Sequence, residues 1–348
     1  MMHQPFSFKK STFKRLFASI VLVTCLSGAQ ATHAQQQDAD DDVVRVKSNL
    51  VLLNVGVADR RGRAITDLRR EDFVVYEDGV RQQIESFEPT NAPFSLVVLL
   101  DLSGSTLNFR STLKQSAIRF LDALAPDDRV ALVIFNDKVR MLEKFTTDRY
   151  KVAVAINNLS NERGDSDVYK GLKYSLEQLS KEGQRRKAII VLTDGVDTDL
   201  RRLDTIASAN AQTDAEAVAA VKPEESAMLR SVLDLADRQG VTVYPLALPS
   251  GDPKRFPSLT PQQAAIYASA RARIETLANR TGGRLHQINR LEDMGRLYAE
   301  VAAEMRTLYS IAYQSAGARS SDGKWRAINI EVTRADTIAR TRPGYFAR

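Results

Sequence analysis

The chain has 348 residues, 43% of them hydrophobic, and a formal net charge of +6, so it is long enough to bury a sizeable core. Four of the positive charges precede the first acidic residue, and the remaining charges are mixed without a basic run, which gives no reason to expect binding to nucleic acid or to an anionic membrane. Cys25 is the only cysteine, so the sequence contains no disulfide pair.

The N-terminal residues have the pattern of an export signal. Lys9, Lys10, Lys14 and Arg15 precede an apolar run from Leu16 to Leu26, and small residues at Ala29-Gln30-Ala31 or Thr32-His33-Ala34 offer a cleavage site. The run is well short of the ~20 apolar residues of a membrane-spanning helix. We therefore predict a signal peptide over residues 1–34 and an exported protein, periplasmic or extracellular, with no membrane span after cleavage. Thr24 directly before Cys25 disfavours the alternative of a lipoprotein.

The residues after this signal predict a tether and then β-structure. Residues 35–42, QQQDADDD, are polar and acidic, as in a disordered tether. Residues 43–93 are strand-like, with apolar residues at period two from Val51 to Val57. Asp78-Gly79, between Phe73–Tyr76 and Gln83–Phe87, predicts a hairpin turn. Because similar alternation follows in residues 310–348, we predict that the two flanks pack together as one small β-sandwich.

The central segment, residues 94–309, alternates buried strands with helical patterns. Four runs are apolar enough for strands that are buried on both faces: Ser95 to Leu100, Val130 to Phe135, Ala188 to Thr193 and Val241 to Leu248. Helical patterns lie between them, and the last one runs from Leu291 to Tyr309. This order predicts an α/β fold with a doubly wound, mostly parallel sheet, inserted between the two flanks. Ligands of such sheets bind at the carboxyl ends of the strands, where the winding reverses.

Two segments of the central region exceed normal loop length: Leu200 to Glu224 and Pro249 to Ser258. The first follows closely on Asp194, so it could form the rim of a site there, although a surface insertion without a role is the plainer interpretation. Asp197 and Asp199, just before it, are predicted to be solvated turn residues.

Two of the predicted strands end in a carboxylate. Asp101 follows the first, and Asp194 follows Thr193 at the end of the third. Ser103 and Ser105 fall at alternate positions after Asp101, so a turning chain can direct three oxygen ligands at one point. Mg²⁺ suits such a mixture of carboxylates, hydroxyls and waters. The alternative is that Asp101 and the serines only cap the helix that follows.

In combination, these residues resemble the metal-ion-dependent adhesion site (MIDAS) of the von Willebrand factor type A domain family. The resemblance rests on Asp101-x-Ser103-x-Ser105, on a hydroxyl in the loop Gly164 to Tyr169 before a helix, and on Thr193-Asp194-Gly195 after a later strand. It covers roughly residues 94–309. The flanks are also similar to a bacterial secreted subfamily described from acidobacteria.

The resemblance implies a metal site made of five residues: Asp101, Ser103, Ser105, Ser166 and Asp194. It further implies that the hydroxyls touch Mg²⁺ or Mn²⁺ directly, that the aspartates act largely through water, and that an open coordination position accepts an acidic side chain from a partner protein. The family usually has threonine at the position of Ser166. The flanking Asp165 and Asp167 leave open whether one of them is also a ligand.

An enzymatic function has little support in the sequence. His286 is the only histidine after the predicted signal, which excludes a site with several histidines, and there is no Gly-x-Ser-x-Gly motif. We therefore predict a secreted, metal-dependent recognition module of the adhesion type and not an enzyme, although metal-assisted phosphoester hydrolysis stays conceivable. The alternative function is that of a metal-independent structural protein of the cell envelope.

Overall fold

A computed structural model describes residues 50–160, 164–183, 185–256, 258–315 and 322–347. The predicted signal peptide, the predicted tether and the start of the first flank lie outside the described residues. Within the part of the chain that is described, no helix is long and apolar enough to cross a membrane.

The described residues form fourteen β-strands and eight α-helices, joined by short 3₁₀ turns. The strands are β1 (Leu50–Asp59), β2 (Phe73–Glu77), β3 (Val80–Gln82), β4 (Ile84–Glu88), β5 (Phe94–Asp101), β6 (Arg129–Phe135), β7 (Val139–Thr146), β8 (Arg186–Thr193), β9 (Val241–Ala247), β10 (His286–Gln287), β11 (Leu308–Gln314), β12 (Trp325–Val332), β13 (Thr337–Arg340) and β14 (Gly344–Phe346). The helices are α1 (Arg110–Asp122), α2 (Arg149–Asn157), α3 (Val168–Leu179), α4 (Thr198–Ala207), α5 (Asp214–Ala220), α6 (Ala227–Gln239), α7 (Pro261–Arg280) and α8 (Met294–Met305).

The central sheet has six strands in the order β10-β9-β8-β5-β6-β7, and all are parallel except the edge strand β7. β5 and β8 are buried along their whole length, because α1, α2 and α8 cover one face and α3, α6 and α7 cover the other. β6 lies on one side of β5 and β8 on the other, so the winding of the chain reverses between β5 and β8. The predicted doubly wound, mostly parallel α/β sheet is confirmed.

The two flanks fold together into a pair of four-stranded sheets. The first has the order β13-β1-β11-β4, and the second has the order β14-β12-β2-β3. Each sheet therefore combines strands from before and after the central segment. One apolar cluster contains residues of both sheets, among them Val55, Phe73, Tyr309 and Ile330. The two sheets share this apolar core, since neither sheet alone could bury its apolar face.

The hairpin at Asp78-Gly79 differs from the prediction in its second strand. The two residues have φ of 49° and 79°, as a tight turn requires, but β2 pairs with the short β3 and not with the strand after Gln83. That strand, β4, pairs with β11 in the other sheet. The turn was therefore predictable from local sequence, but the crossing to the other sheet was not.

The predicted long loop from Leu200 to Glu224 contains two helices, α4 and α5. Both begin at a capping side chain. Asp197 accepts the backbone N–H of Asp199 and Leu200, and Thr213 accepts that of Glu216. Only one residue of α5, Ala217, is buried, so the apolar periodicity that would have indicated a helix is weak.

The last helix is shorter than the sequence pattern predicts. α8 ends at Met305, and Leu308 and Tyr309 belong to β11. Leu308 is buried with the α8 residues Val301 and Met305 in one apolar cluster, so the helical spacing continues into the strand without marking its start.

One buried arginine contacts both ends of the central segment at its junction with the flanks. Arg186, at the start of β8, is 5% exposed and donates hydrogen bonds to the carbonyls of Leu308 (2.5 Å), Thr90 (2.9 Å) and Ala92. Its guanidinium carbon lies 4.1 Å from the centre of the Phe94 ring. The chain passes from the first flank into the central sheet after Ala92, and from the central segment into the second flank at Leu308. The Arg186 side chain therefore contacts both crossings between the central segment and the flanks.

Replacing Arg186 with methionine should lower the free energy of unfolding by about 2–4 kcal/mol, because one buried and two partly buried carbonyls lose their donor. Urea unfolding followed by circular dichroism measures the change. Arg81→Met, at an exposed arginine of β3, is the control and should change the stability by less than ~0.5 kcal/mol. Equal losses in the two variants would contradict the role of Arg186.

Candidate metal centre

The predicted site residues lie in three loops at the carboxyl edge of the central sheet. Asp101 ends β5 and Asp194 follows β8, so two neighbouring parallel strands each place a carboxylate at the same edge. Ser103 and Ser105 lie in the 3₁₀ turn region that follows β5. Ser166 lies in the loop that leads into α3.

Asp101 is fully buried and accepts hydrogen bonds on both carboxylate oxygens. Oδ1 accepts the backbone N–H of Ser103 at 2.9 Å. Oδ2 accepts the hydroxyl of Thr193 at 2.7 Å and that of Ser166 at 3.4 Å. One carboxylate thus joins the loop after β5, the loop before α3 and the end of β8.

The serine hydroxyls continue this network to Asp194. The Oγ atoms of Ser103 and Ser105 are 3.1 Å apart, and the Ser105 hydroxyl acts to lower the pKa of Asp194. Asp194 also accepts the backbone N–H of Val196 at 3.0 Å and the hydroxyl of Ser250 at 3.5 Å. The structure therefore brings Asp101, Ser103, Ser105 and Ser166 into one hydrogen-bonded cluster, with Asp194 at the end of the neighbouring strand β8.

Backbone contacts hold the loops of this cluster against each other. The N–H of Gly104 donates to the carbonyl of Gly164 at 3.2 Å, and the N–H of Thr198 donates to the carbonyl of Ser166 at 2.9 Å. The turn after β9 lies directly on Asp194, because a Cβ at residue 251 would be only 2.2 Å from the Asp194 carbonyl oxygen. Glycine is therefore required at residue 251 for steric reasons.

Burial and like charge act against ionisation of the two aspartates. Burial raises the pKa of Asp101 to about 7, the neighbouring Asp194 carboxylate adds to this shift, and hydrogen bonds from Ser103 and Thr193 oppose it. Burial also raises the pKa of Asp194, and the hydroxyls of Ser105 and Ser250 oppose that shift. A positive charge at this edge would stabilise both carboxylates.

The donor set fits a hard divalent cation. It consists of two carboxylates and three hydroxyls, which are all oxygen ligands. Most of these donors are hydroxyls and not charged side chains. Among the described residues, no group of three or more His, Cys, Asp and Glu side chains is arranged to hold a metal. A search for carboxylate and histidine clusters therefore misses a cluster in which hydroxyls predominate.

The other aspartates near the cluster have different environments. Asp165 is exposed, and the carboxylate of Asp167 lies 2.9 Å from the Lys170 ammonium. Asp197, predicted as a solvated turn residue, is instead buried and caps α4, with hydrogen bonds from the N–H of Asp199 and Leu200. The sequence held a signal for this role, because an aspartate directly before a helix is a common N-cap.

Two residues of the cluster were not predicted as members. Thr193 was noted as part of the Thr193-Asp194-Gly195 motif, but its hydrogen bond to Asp101 was not foreseen. Ser250 lies 56 residues from Asp194 in a segment for which only an unusually long loop was predicted. No local signal in the sequence places Ser250 at this site, since its position depends on the packing of β9 beside β8.

Comparison with known proteins agrees with the resemblance noted in the sequence. Residues 96–196 match the family model described as von Willebrand factor type A domain, and this range contains all five predicted site residues.

Similar solved structures include three of low sequence identity. A von Willebrand factor type A protein from Catenulispora acidiphila is 12% identical with a TM-score of 0.45, over 87% of this chain and 64% of that chain. The vWF domain of the type V pili tip protein Mfa5 from Porphyromonas gingivalis is 13% identical with a TM-score of 0.45, and the match covers 61% of this chain and 94% of that chain. Proximal thread matrix protein 1 from the mussel byssus, with a zinc-occupied MIDAS motif, is 13% identical with a TM-score of 0.43. The match covers 64% of this chain and 47% of that chain.

In the metal-free protein, we expect the free energy of unfolding to fall as the pH rises from about 4 to about 7. Folding raises the pKa of Asp101 above the ordinary 3.8, so over this range the folded state holds a proton that the unfolded state releases. Asp101→Asn removes this carboxyl group. The decrease in the free energy of unfolding between pH 4 and pH 7 should therefore be ~1–3 kcal/mol smaller in the variant than in the wild type. Urea unfolding in the presence of a chelator measures it.

The control for this experiment is Glu224→Gln, which changes an exposed carboxylate far along the chain from the cluster. It should keep the pH dependence of the wild type. The same pH dependence in Asp101→Asn as in the wild type would show that Asp101 ionises normally in the folded protein.

Proposed function

Because this chain contains a von Willebrand factor type A domain, we propose that it is an exported recognition module that binds an acidic side chain of a partner protein through a divalent cation. The observation that carries the proposal is the convergence of Asp101 and Asp194 with three serine hydroxyls at one sheet edge. The export of the protein is proposed from the signal pattern of residues 1–34.

The hydroxyls of Ser103, Ser105 and Ser166 would hold Mg²⁺ or Mn²⁺ directly, and Asp101 and Asp194 would act largely through water. The hydrogen bonding of Asp101 supports this division. Both of its carboxylate oxygens already accept hydrogen bonds, one from Ser103 and the other from Thr193 and Ser166. Asp101 is therefore better suited to orient the Ser166 hydroxyl and the backbone of Ser103 than to act as a direct ligand.

The burial of the cluster indicates where a partner would approach. Asp101, Ser103, Ser166 and Asp194 are buried, whereas Ser105 is exposed. The open side of the cluster therefore lies at Ser105. When bound, a divalent cation supplies an electrophilic coordination position that a carboxylate from outside can complete. Neutral hydroxyl ligands favour binding of an outside carboxylate, because they neutralise little of the positive charge of the cation.

Binding is a better description of the site than catalysis. Ser103 and Ser105 have no histidine or lysine partner in the described part of the chain, so no base of these types activates them. His286, the histidine of the described residues, is buried on β10 and is not part of the cluster. The alternative, a metal-independent structural protein, differs in predicting that a chelator leaves partner binding unchanged.

Titration calorimetry should detect saturable binding of Mg²⁺ and Mn²⁺ to the purified protein. Asp101→Ala and Ser166→Ala should each weaken metal binding by about tenfold or more. Asp101→Ala loses the acceptor for the hydroxyls of Ser166 and Thr193, and Ser166→Ala loses a proposed ligand. Ser166→Thr should retain binding because it keeps the hydroxyl. Ser180→Ala, at an exposed serine after α3, is the control and should bind like the wild type.

The titration is repeated with millimolar acetate, which supplies the carboxylate that a partner would provide. If the wild type binds neither ion with acetate present, metal-dependent recognition is wrong. If Ser166→Ala binds as tightly as the wild type, Ser166 is not a ligand, and the assignment of the loop before α3 to the site is wrong.

A further inference from the structure

Arg110 is a buried arginine at the start of α1, next to the loop that carries Ser103 and Ser105. Only 3% of its surface is exposed, and it follows directly on the 3₁₀ turn from Gly104 to Phe109. A positive side chain in the first turn of a helix lies near the positive end of the helix dipole, which is unfavourable. Helix formation therefore does not explain an arginine at this position, whereas its contacts do.

The guanidinium of Arg110 donates to backbone carbonyls in two segments near the cluster. Nη2 donates to the carbonyl of Leu102 and, at 3.2 Å, to that of Ser103. Nη1 donates at 2.7 Å to the carbonyl of Ser160, which lies six residues before Ser166 in the chain. One side chain thus fixes the backbone of the loop after β5 and also contacts the chain that leads toward the third hydroxyl.

Thr106 fixes the same loop from within. Its fully buried hydroxyl lies 2.9 Å from the carbonyl oxygens of both Asp101 and Ser103, and it accepts Nε of Arg110 at 3.4 Å. The backbone N–H of Thr106 donates to the Ser103 carbonyl at 3.2 Å. With Nη2 of Arg110, that carbonyl has three donors within hydrogen-bond distance, more than its two lone pairs can accept. It is therefore not available to an ion.

The side-chain oxygens are what this stretch of the loop offers to a cation, because the carbonyls of Asp101, Leu102 and Ser103 all have donors. The Oγ atoms of Ser103 and Ser105 are 3.1 Å apart. Two adjacent ligands of an octahedral Mg²⁺ lie about 3 Å apart, whereas Ca²⁺ takes about six to eight oxygens, which often include backbone carbonyls. The fixed loop therefore suits the smaller ion.

On the basis of the proposed function, we propose that Arg110 is a positioning residue of the ion site. By occupying carbonyls of the loop after β5, it holds the hydroxyls of Ser103 and Ser105 in place for Mg²⁺ or Mn²⁺. It also withholds backbone oxygens that Ca²⁺ would use as further ligands. Arg110 does not touch the ion, so its effect is on the geometry and on the choice between ions.

Titration calorimetry of Mg²⁺ and of Ca²⁺, each with millimolar acetate, tests this inference. Arg110→Met should weaken Mg²⁺ binding by about tenfold, the usual effect of losing a group that orients metal ligands. It should weaken Ca²⁺ binding less, because the released carbonyls can serve the larger ion. Arg110→Lys should give intermediate values, since an ammonium keeps the charge but cannot span the same carbonyls. Thr106→Val removes one hydroxyl and no charge, and it should shift both affinities in the same direction if Arg110→Met does not fold.

The matched control is Arg186→Met, which removes another buried arginine with three carbonyl acceptors, at the opposite end of the central sheet. It should lower the stability and leave both metal affinities unchanged. If Arg186→Met and Arg110→Met weaken Mg²⁺ binding equally, the loss follows from reduced stability and the positioning role is wrong. A parallel loss of Mg²⁺ and Ca²⁺ binding in Arg110→Met would contradict the effect on the choice between ions.

Hydrogen exchange of the metal-free protein gives a measurement that does not depend on ion binding. The N–H groups of Ser103 and Thr106 are bonded within the loop, so they exchange only when it opens. Arg110→Met should accelerate exchange in residues 102–109 by about tenfold relative to the rest of the chain. Arg186→Met should not accelerate this segment selectively. If the segment exchanges at the wild-type rate in Arg110→Met, the arginine does not fix the loop and the inference is wrong.

Two results separate this inference from the proposed function. If the wild type binds Mg²⁺ and Arg110→Met binds it equally well, the role of Arg110 is wrong and metal-dependent recognition stands. If the wild type binds neither ion with acetate present, both proposals are wrong, whatever the exchange rates of the loop.

Discussion

The burial of two carboxylates side by side is the constraint on which the edge of the central sheet depends. Asp101 and Asp194 follow adjacent parallel strands, and each raises the cost of ionising the other. The chain compensates with donors from separate segments, namely the N–H of Ser103 and the hydroxyls of Thr193 and Ser166. The loops that form the site are thus held together by the groups that a cation would need.

The site and the flanking sheets share the same structural element. β8 begins at Arg186, which contacts both crossings to the flanks, and it ends at Thr193, whose hydroxyl donates to Asp101. β8 is buried along its length in the centre of the sheet and runs from the junction with the flanks to the candidate site. The flanks have an apolar core of their own, and they contact the central segment both through Arg186 and through the buried Arg342, which donates to the carbonyl and the carboxylate of Asp237 on α6.

The sequence located the parts of this structure that depend on local pattern. Apolar runs that end in an acidic residue predicted β5 with Asp101 and β8 with Asp194, and the structure places both at one edge. α4 and α5 were missed, because their surfaces are mostly polar and only Leu200, Asp204 and Ala217 are buried. Distant partners were not predictable either. Ser250 reaches Asp194 only because β9 lies next to β8, and residue spacing carries no information on such contacts.

The central claim is that the serine hydroxyls and the two aspartates together form one divalent-cation site. Anomalous diffraction from crystals grown with Mn²⁺ and acetate tests it most directly, because manganese scatters anomalously and acetate supplies the outer carboxylate. The account predicts one strong peak within bonding distance of the hydroxyls of Ser103, Ser105 and Ser166, with Asp101 and Asp194 behind them and acetate on the open side. A peak bound by carboxylates elsewhere, with none at the serines, would contradict it.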